Sequence, residues 1–301
     1  MQEKAANKSP VFAGIEAGGT KFNCVLATDT NRILASTKIA TTTPDITLPQ
    51  VRDFFREQEK IYGPIQSIGI ACFGPVDLDR ASTTYGYITS TPKKGWSNQD
   101  IAGFFKREFA VNIGFDTDVN GAARGEFVSG AAQNVSDFVY ITVGTGVGGG
   151  VFVNGSPVHG LVHPELGHMQ IPRKRDDEFS GNCPFHGDCV EGLVSGPSIE
   201  ARWGCTADTL AEHHPAWVLQ AHYLALMCVN ITLSYSPKLI ILGGGVMGQK
   251  HLFPLIRQAF QELMRGYMLP DVPLDQYIIP PGLQDRAGEV GALSLAMMQA
   301  D

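Results

Sequence analysis

The most informative side chains in this sequence are two cysteines and two histidines. Cys183, His186 and Cys189 follow a C-x₂-H-x₂-C spacing in a polar loop, and His168 lies fifteen residues before the first of them. Two thiolates and two neutral imidazoles balance the charge of one Zn²⁺ and leave no coordination position for water. The pattern therefore predicts a structural zinc site, which would crosslink the charged and core-poor segment 170–182.

Glu165 and His168 also fit half of a di-iron or metalloprotease motif, because they are spaced as E-x-x-H. Such sites need a second E-x-x-H or an H-E-x-x-H, and the sequence contains neither. The sequence thus favours the structural metal site over a catalytic one.

Three glycine-rich turns follow apolar, strand-like runs. The first, 14–21, resembles a P-loop but reads Gly-Thr-Lys, and the second, 144–149, fits G-x-G-x-x-G. Both lead into a strand, whereas these nucleotide motifs require a helix, so what remains is a pair of hairpins whose N–H groups can cradle phosphate. The third turn lies between a strand and a helix and suits a nucleobase and ribose. The residues predicted to contact a nucleotide are Gly18, Gly19, Thr20, Lys21, Gly144, Thr145, Gly146, Gly243, Gly244, Gly245, Val246 and Met247.

The elements that must position these residues repeat along the chain. The predicted strands are Val11–Ala17, Phe22–Thr28, Ile33–Ile39, Ile65–Phe73, Val111–Phe115, Phe138–Val143, Val151–Val153, Leu239–Leu242 and Tyr277–Ile279. The predicted helices are Ile46–Tyr62, Asn98–Phe109, Asp118–Ser129, Pro215–Ser234, Leu252–Tyr267 and Arg286–Gln299. This order predicts an α/β duplication with lobes at 1–117 and 118–285, and we expect the last helix, 286–301, to return to the first lobe.

Composition excludes several classes of protein. The 301 residues suit two lobes, and 44% hydrophobic with 18% charged residues is the balance of a globular chain. The net charge is −7 and no basic run exceeds Arg173–Arg175, which argues against a nucleic-acid binder. The N-terminal residues lack the apolar core of a signal peptide, and the apolar run Ala221–Leu233 is too short to span a bilayer. We expect a cytoplasmic protein with neither a membrane nor a nucleic acid as partner.

Several segments together resemble the actin-like, or ASKHA, phosphotransferases, more narrowly the ROK sugar kinases and within them the bacterial fructokinases. The resemblance runs from Gly14 to about Met298. Its motifs are the two glycine hairpins 14–21 and 143–150, the connector 73–77, the segment 117–123, and the signatures 163–168 and 183–192. Segments 85–96 and 200–204 look particularly like fructokinases. The resemblance implies a ribonuclease H-like two-lobe fold with the active site in the cleft between the lobes.

The resemblance also assigns roles to individual residues. It makes Asp118 the general base, although an aspartate at such a position is more often a helix N-cap. It makes Glu165 and Glu191 sugar clamps, although each alone would be an ordinary surface charge. It adds Gly74, Pro75, Thr117, Asp118 and His168 to the sugar site and Pro197 to the ATP site. The common family pattern has asparagine where this chain has Thr117, so the sugar contacts at that point must differ.

The leading expectation is an ATP-dependent fructokinase that forms fructose 6-phosphate, with Mg²⁺ carried by ATP and with a structural Zn²⁺. The resemblance further suggests a homodimer. One alternative is a ROK kinase that prefers mannose, glucose or an N-acylated hexosamine. Another is a sugar-responsive repressor, but such relatives carry an additional N-terminal helix-turn-helix, whereas the first phosphate hairpin here begins at Gly14.

Overall fold

The computed structural model describes residues 9–268 and 270–300. These residues form two compact units. The first contains the chain up to Ser129 together with the segment from Arg286 onward, and the second contains 130–285. The division after Ser129 lies twelve residues beyond the sequence-based boundary at 117, because the helix that follows Thr117 packs inside the first unit.

The strands are numbered in chain order. They are β1 Val11–Ala17, β2 Lys21–Asp29, β3 Arg32–Ala40, β4 Ile65–Cys72, β5 Tyr87–Ile88, β6 Gln99–Asp100, β7 Asn112–Thr117, β8 Phe138–Val143, β9 Val147–Val153, β10 Ser156–Pro157, β11 Leu239–Gly243 and β12 Ile278–Ile279.

The α-helices are numbered in the same way. They are α1 Pro44–Tyr62, α2 Ile101–Phe109, α3 Asp118–Ser129, α4 Val190–Val194, α5 Gly196–Trp203, α6 Ala216–Tyr235, α7 Leu252–Met264, α8 Leu274–Tyr277 and α9 Ala287–Met297. Single 3₁₀ turns occur at Leu166–His168, Ala207–Thr209, Gly245–Gly248 and Gln284–Arg286. The predicted strand Tyr277–Ile279 is therefore shorter than expected, since its first residue closes α8.

The first unit is built on a five-stranded sheet in the order β3-β2-β1-β4-β7. The hairpins β1–β2 and β2–β3 are antiparallel, and β1, β4 and β7 run parallel. In this register Ala17 pairs with Cys72, and Cys72 pairs with Thr117. The carboxyl ends of three neighbouring strands therefore lie at the same edge of the sheet, which is where ligands bind in open α/β sheets.

Helix α9 packs against β1, β4 and α3 within the first unit. Two glycines permit this close approach. A Cβ atom on Gly69 of β4 would lie 1.9 Å from the carbonyl oxygen of Ala292, and one on Gly291 would lie 1.7 Å from that of Gly121. The absence of side chains at these positions lets the C-terminal helix contact the sheet and α3 through backbone.

The second unit repeats the plan with the strand order β10-β9-β8-β11-β12. The hairpin β8–β9 is antiparallel, and β8, β11 and β12 run parallel. The repetition confirms the predicted α/β duplication. Within the described residues, α6 is long and apolar enough to cross a membrane by length and composition alone. It packs instead in the core of this unit, where Trp217, Tyr223 and Ile231 are buried.

The segment 170–182 is better anchored than the sequence indicates. Ile171 is buried, and Phe179 packs against the core of the second unit. Asp177 forms an ion pair with Arg202, whose side chains are 6% and 9% exposed, and it also accepts a hydrogen bond from the hydroxyl of Tyr223. The segment is core-poor, as expected, since Ile171 is its one buried residue. Partners distant in sequence nevertheless hold it in place.

Candidate functional site

The four predicted metal ligands converge on one point in the second unit. One donor atom from each of His168, Cys183, His186 and Cys189 lies within 4.8 Å of the others. The Nδ1 atom of His168 is 3.7 Å from Cys183 Sγ, 3.6 Å from Cys189 Sγ and 3.3 Å from His186 Nδ1. The sequence pattern thus predicted the grouping correctly.

Four of the six donor–donor separations among these ligands fit a tetrahedral ion. Zinc–sulfur bonds of about 2.3 Å and zinc–nitrogen bonds of about 2.0–2.1 Å imply sulfur–nitrogen edges of about 3.6 Å and nitrogen–nitrogen edges of about 3.3 Å. The separations at His168 match both values, and that between Cys183 Sγ and His186 Nδ1, 3.8 Å, is close to the first. Both the donor set and the geometry suit a closed, four-ligand metal centre.

Short backbone pairings hold the ligands in place. The peptide groups of Cys183 and Gly187 exchange two hydrogen bonds of 3.1 and 3.0 Å, which form a tight turn around His186. The N–H of Val190 donates to the carbonyl of Met169 at 3.0 Å and brings the residues after His168 beside those after Cys189. The pairing places two chain segments side by side at the metal ligands.

Glu165 and Glu191 lie on these same two segments. Glu165 immediately precedes the 3₁₀ turn that ends at His168, and Glu191 lies in the first turn of α4, two residues after Cys189. Partial desolvation and the nearby Glu191 carboxylate raise the pKa of Glu165. His163, for which the sequence indicated no role, has a side chain only 5% exposed, and its Nδ1 lies 3.3 Å from Glu165 Oε1.

The second glycine turn is the loop of the β8–β9 hairpin and lies beside Glu191. The N–H of Val147 donates to Glu191 Oε2 at 2.9 Å. The N–H of Gly196, at the start of α5 where Pro197 follows, donates to the carbonyl of Gly144 at 2.8 Å. The turn, Pro197 and one predicted sugar clamp therefore form one connected group.

The third glycine turn is adjacent to the second. Gly243 pairs with Thr142 at the ends of the parallel strands β11 and β8. A Cβ on Gly144 would lie 3.9 Å from the backbone nitrogen of Gly245, in the 3₁₀ turn that also carries Val246 and Met247. The nucleotide residues predicted for the second unit are thus brought together at one edge of its sheet.

In the first unit, the predicted residues lie at the shared edge of β1, β4 and β7. The hairpin loop from Gly18 to Lys21 closes through a 3.0 Å hydrogen bond between the Gly18 N–H and the Lys21 carbonyl, with Gly19 and Thr20 at its tip. The ammonium group of Lys93 donates to the Gly19 carbonyl, which connects this loop to the segment 85–96.

Gly74 and Pro75 follow β4 at the same edge. The N–H of Phe73, the residue before them, donates to the carbonyl of Ala17 at the end of β1, 2.8 Å away. The N–H of Thr89 donates to the carbonyl of Pro75 at 2.8 Å. Both loops of the predicted sugar and phosphate site are therefore tied to neighbouring backbone.

Asp118 is the first residue of α3, directly after β7. The helix is capped by its neighbour, because the Thr117 hydroxyl accepts the Asn120 N–H at 3.1 Å, the usual N-cap hydrogen bond. Asp118 Oδ1 accepts the adjacent N–H of Val119 at 2.9 Å. Thr117 thus performs the capping role that we considered for Asp118. This local bond also gives a structural use to the hydroxyl of Thr117.

Asp116, the neighbouring carboxylate, has a structural role. It is 3% exposed, and its Oδ1 accepts the Thr117 N–H at 2.8 Å and the side-chain amide of Asn120 at 2.7 Å. Its hydrogen bonds fix the turn between β7 and α3. Asp118 is therefore held by a turn that other side chains stabilise.

The family model described as "ROK family" matches residues 12–299. The chain belongs to the ROK family. Among its ROK relatives, a fructokinase from Pediococcus pentosaceus is 42% identical over 95% of this chain and 97% of its own length. A fructokinase from Zymomonas mobilis is 42% identical over 97% of this chain and 98% of its own.

Solved ROK structures share the fold. A ROK hexokinase from Thermus thermophilus superposes with a TM-score of 0.79 at 23% identity, covering 96% of this chain and 98% of that one. A ROK glucokinase from Streptomyces griseus, in complex with glucose and AMPPNP, gives a TM-score of 0.75 at 22% identity, covering 96% and 99%. The duplicated, actin-like architecture is therefore that of ROK sugar kinases.

Several contacts around the predicted site residues could not be read from the sequence. The bond from Val147 to Glu191 joins residues 44 positions apart, and the pair His163–Glu165 had no distinguishing pattern. The capping hydroxyl of Thr117 was available as a signal, since threonine three residues before Asn120 is a common cap spacing. The long-range contacts had no comparable local signal.

Proposed function

We propose that this ROK-family protein is an ATP-dependent fructokinase, which transfers the γ-phosphate of ATP to the 6-hydroxyl of D-fructose and forms fructose 6-phosphate and ADP. The observation that carries the proposal is that four relatives named fructokinase are 40–42% identical over 92–97% of the chain. A relative named glucokinase and one named N-acetyl-D-glucosamine kinase are each 25% identical. The fructokinases are thus clearly the more similar group.

Asp118 is the proposed general base. As the 6-oxygen of fructose attacks the γ-phosphorus, its proton passes to the carboxylate, and the bond from phosphorus to the β,γ-bridging oxygen breaks to release ADP. Thr117 caps α3 and Asp116 fixes the preceding turn, so both residues keep Asp118 at the carboxyl end of β7. A base held in this way loses little entropy when substrate arrives.

The glycine turns are the proposed nucleotide site. Backbone N–H groups at 18–21 and 144–146 would hold phosphate oxygens, while Pro197 and the turn 243–247 would contact the nucleoside. Kinase relatives imply that ATP binds together with Mg²⁺. The glycine turns suit ATP because they offer backbone N–H donors to its phosphates. When bound with ATP, Mg²⁺ supplies positive charge to the phosphate oxygens.

Glu165 and Glu191 are the proposed fructose clamps. Each carboxylate accepts hydrogen bonds from hydroxyl groups, and two of them on adjacent segments can hold several hydroxyls of one sugar. Gly74, Pro75, Thr117 and His168 complete the proposed sugar site. The raised pKa of Glu165 reflects partial desolvation and the proximity of Glu191, and donor hydroxyls placed near both carboxylates would offset this repulsion.

We further propose that His168, Cys183, His186 and Cys189 hold one structural Zn²⁺. The support is the four donor–donor distances that match a tetrahedral site, together with the two-thiolate, two-imidazole donor set. Four protein ligands would leave such an ion no open coordination position, so it would take no part in phosphoryl transfer. Its role would be to fix the two segments that carry Glu165 and Glu191.

The experiment that tests the function measures ADP release by the purified protein across a panel of hexoses. We expect the highest kcat/KM with fructose and the second highest with mannose. A tenfold higher kcat/KM with glucose than with fructose would contradict the fructose preference, but the protein would still be a ROK hexokinase. No ADP release with any hexose would instead favour a regulator of the same fold. A solved ROK transcriptional regulator, with a TM-score of 0.77, shows that the fold also supports that class.

A further inference from the structure

Glu191 connects the proposed sugar site to the proposed phosphate site through one hydrogen bond. Its Oε2 accepts the N–H of Val147 at 2.9 Å. Val147 is the first residue of β9 and immediately follows the turn 144–146. A carboxylate whose Oε2 is occupied in this way presents its other oxygen in a defined direction, so the turn helps to orient the clamp.

Gly146 allows this contact because it has no side chain. A Cβ at this position would lie 2.7 Å from Glu191 Oε2, whereas ordinary van der Waals contact begins at 3.4 Å. The φ angle of Gly146 lies outside the left-handed region, so backbone conformation does not require glycine here. Glycine is required because the Glu191 carboxylate occupies the space that a side chain would need.

The main chain of Glu191 is fixed from its other side. Its carbonyl accepts the N–H of Ser195 at 3.1 Å and the hydroxyl of Ser198 at 2.9 Å. Gly196, the next residue after Ser195, donates its N–H to the carbonyl of Gly144 at 2.8 Å. Glu191 and the turn 144–146 are therefore joined twice, once through Val147 and once through the start of α5.

We propose that Gly146 and Val147 are positioning residues for Glu191, and that this double connection makes ATP and fructose strengthen each other's binding. The inference rests on the proposed function. Phosphate bound at the turn 144–146 orders Val147 and with it Glu191, so fructose then meets an already oriented carboxylate and loses less conformational entropy on binding. Linkage requires fructose to strengthen nucleotide binding by the same factor.

The test compares Gly146→Ala with Gly248→Ala by calorimetric titration of fructose without nucleotide. An alanine methyl group at 146 must displace Glu191 Oε2 by about 0.7 Å, the difference between 3.4 and 2.7 Å, and the long glutamate side chain can yield without unfolding. Gly248 lies outside the proposed sugar and nucleotide residues, and a methyl group there would meet no atom of the described residues within 4 Å beyond its chain neighbours. Since a misplacement of about 1 Å can cost on the order of 100-fold, we expect fructose affinity to fall by about tenfold or more in Gly146→Ala and by less than about twofold in Gly248→Ala.

A second titration uses the wild-type protein and does not depend on the folding of any variant. Fructose affinity is measured with and without the non-hydrolysable analogue AMPPNP and Mg²⁺, and we expect an increase of at least about threefold with the analogue. Equal affinities in the two conditions, or an unchanged fructose affinity in a folded Gly146→Ala protein, would overturn the inference. The fructokinase proposal has its own readout, ADP release by the wild type, so a protein that phosphorylates fructose but shows no coupling refutes only the inference.

Discussion

Replacing Cys183 and Cys189 together by serine removes two of the four side chains that converge on the proposed metal centre. His168 lies three residues after Glu165, and Cys189 lies two residues before Glu191. The variant should therefore loosen both fructose clamps at once. We expect it to phosphorylate fructose poorly although neither replaced cysteine contacts the sugar or the phosphates in the proposed site.

The size of the effect follows from what remains when the metal is lost. The Val190 N–H still donates to the Met169 carbonyl at 3.0 Å, and the Glu191 carbonyl is still held by Ser195 and Ser198. These bonds oppose a large displacement of Glu191, and a misplacement of a carboxylate by about 1 Å can cost on the order of 100-fold in rate. We expect kcat/KM for fructose to fall by about 10- to 100-fold. Nucleotide affinity in the absence of fructose should change by less than about threefold, because the Gly196–Gly144 bond still supports the phosphate turn.

Elemental analysis and steady-state kinetics measured on the same preparation check this prediction. Wild-type protein should contain one zinc per chain, and the double variant should contain none. Cys205→Ser is the matched control, since Cys205 is partly exposed and lies outside the metal cluster. Freshly purified wild-type protein without zinc, or a double variant with full activity towards fructose, would refute the reasoning.

Three further substitutions test separate parts of the account. Asp118→Asn should lower kcat by about 10²–10⁴ while the KM for fructose changes little, and turnover within threefold of wild type would show that Asp118 is not the base. Asp177→Asn should lower the free energy of unfolding in urea by about 3–5 kcal/mol, because it leaves buried Arg202 without its charged partner; an unchanged midpoint would contradict this. In the wild type, burial raises the pKa of Asp177, but its hydrogen bonds and the charge of Arg202 outweigh burial and lower this pKa below its ordinary value of 3.8. The ionised carboxylate should therefore stabilise the fold fully at pH values well above 3.8, and this stabilisation should be lost as the pH falls through the folded-state pKa. Gly291→Ala should lower the melting temperature markedly, since its Cβ would lie 1.7 Å from the Gly121 carbonyl oxygen and overpacking costs about 1–3 kcal/mol or more; an unchanged melting temperature would contradict the packing of α9 on α3.

The duplicated fold and the metal cluster were predictable from sequence because their signals are local. Strand boundaries coincide with glycine turns and apolar runs, and the spacing of Cys183, His186 and Cys189 is short enough to bring three ligands to one ion. A buried strand is marked by a short apolar run of a few residues, and such a run is visible in a single sequence.

Contacts between distant residues were not predictable in the same way. The segment 170–182 is core-poor, as its charges indicate, yet the Asp177 side chain is buried against Arg202, 25 residues away, and Tyr223, 46 residues away. A lone sequence gives no signal for such pairs. The choice between Thr117 and Asp118 as helix cap was equally open, because both residue types cap well and a shift of one residue decides between them.

The most direct test of the central proposal is the identity of the product. The purified protein is incubated with fructose, ATP and Mg²⁺, and the phosphorylated sugar is identified by ³¹P and ¹³C NMR while ADP is quantified in the same sample. The account predicts fructose 6-phosphate and ADP in equal amounts. Phosphate on a different hydroxyl, or ADP formed without any phosphorylated fructose, would contradict it.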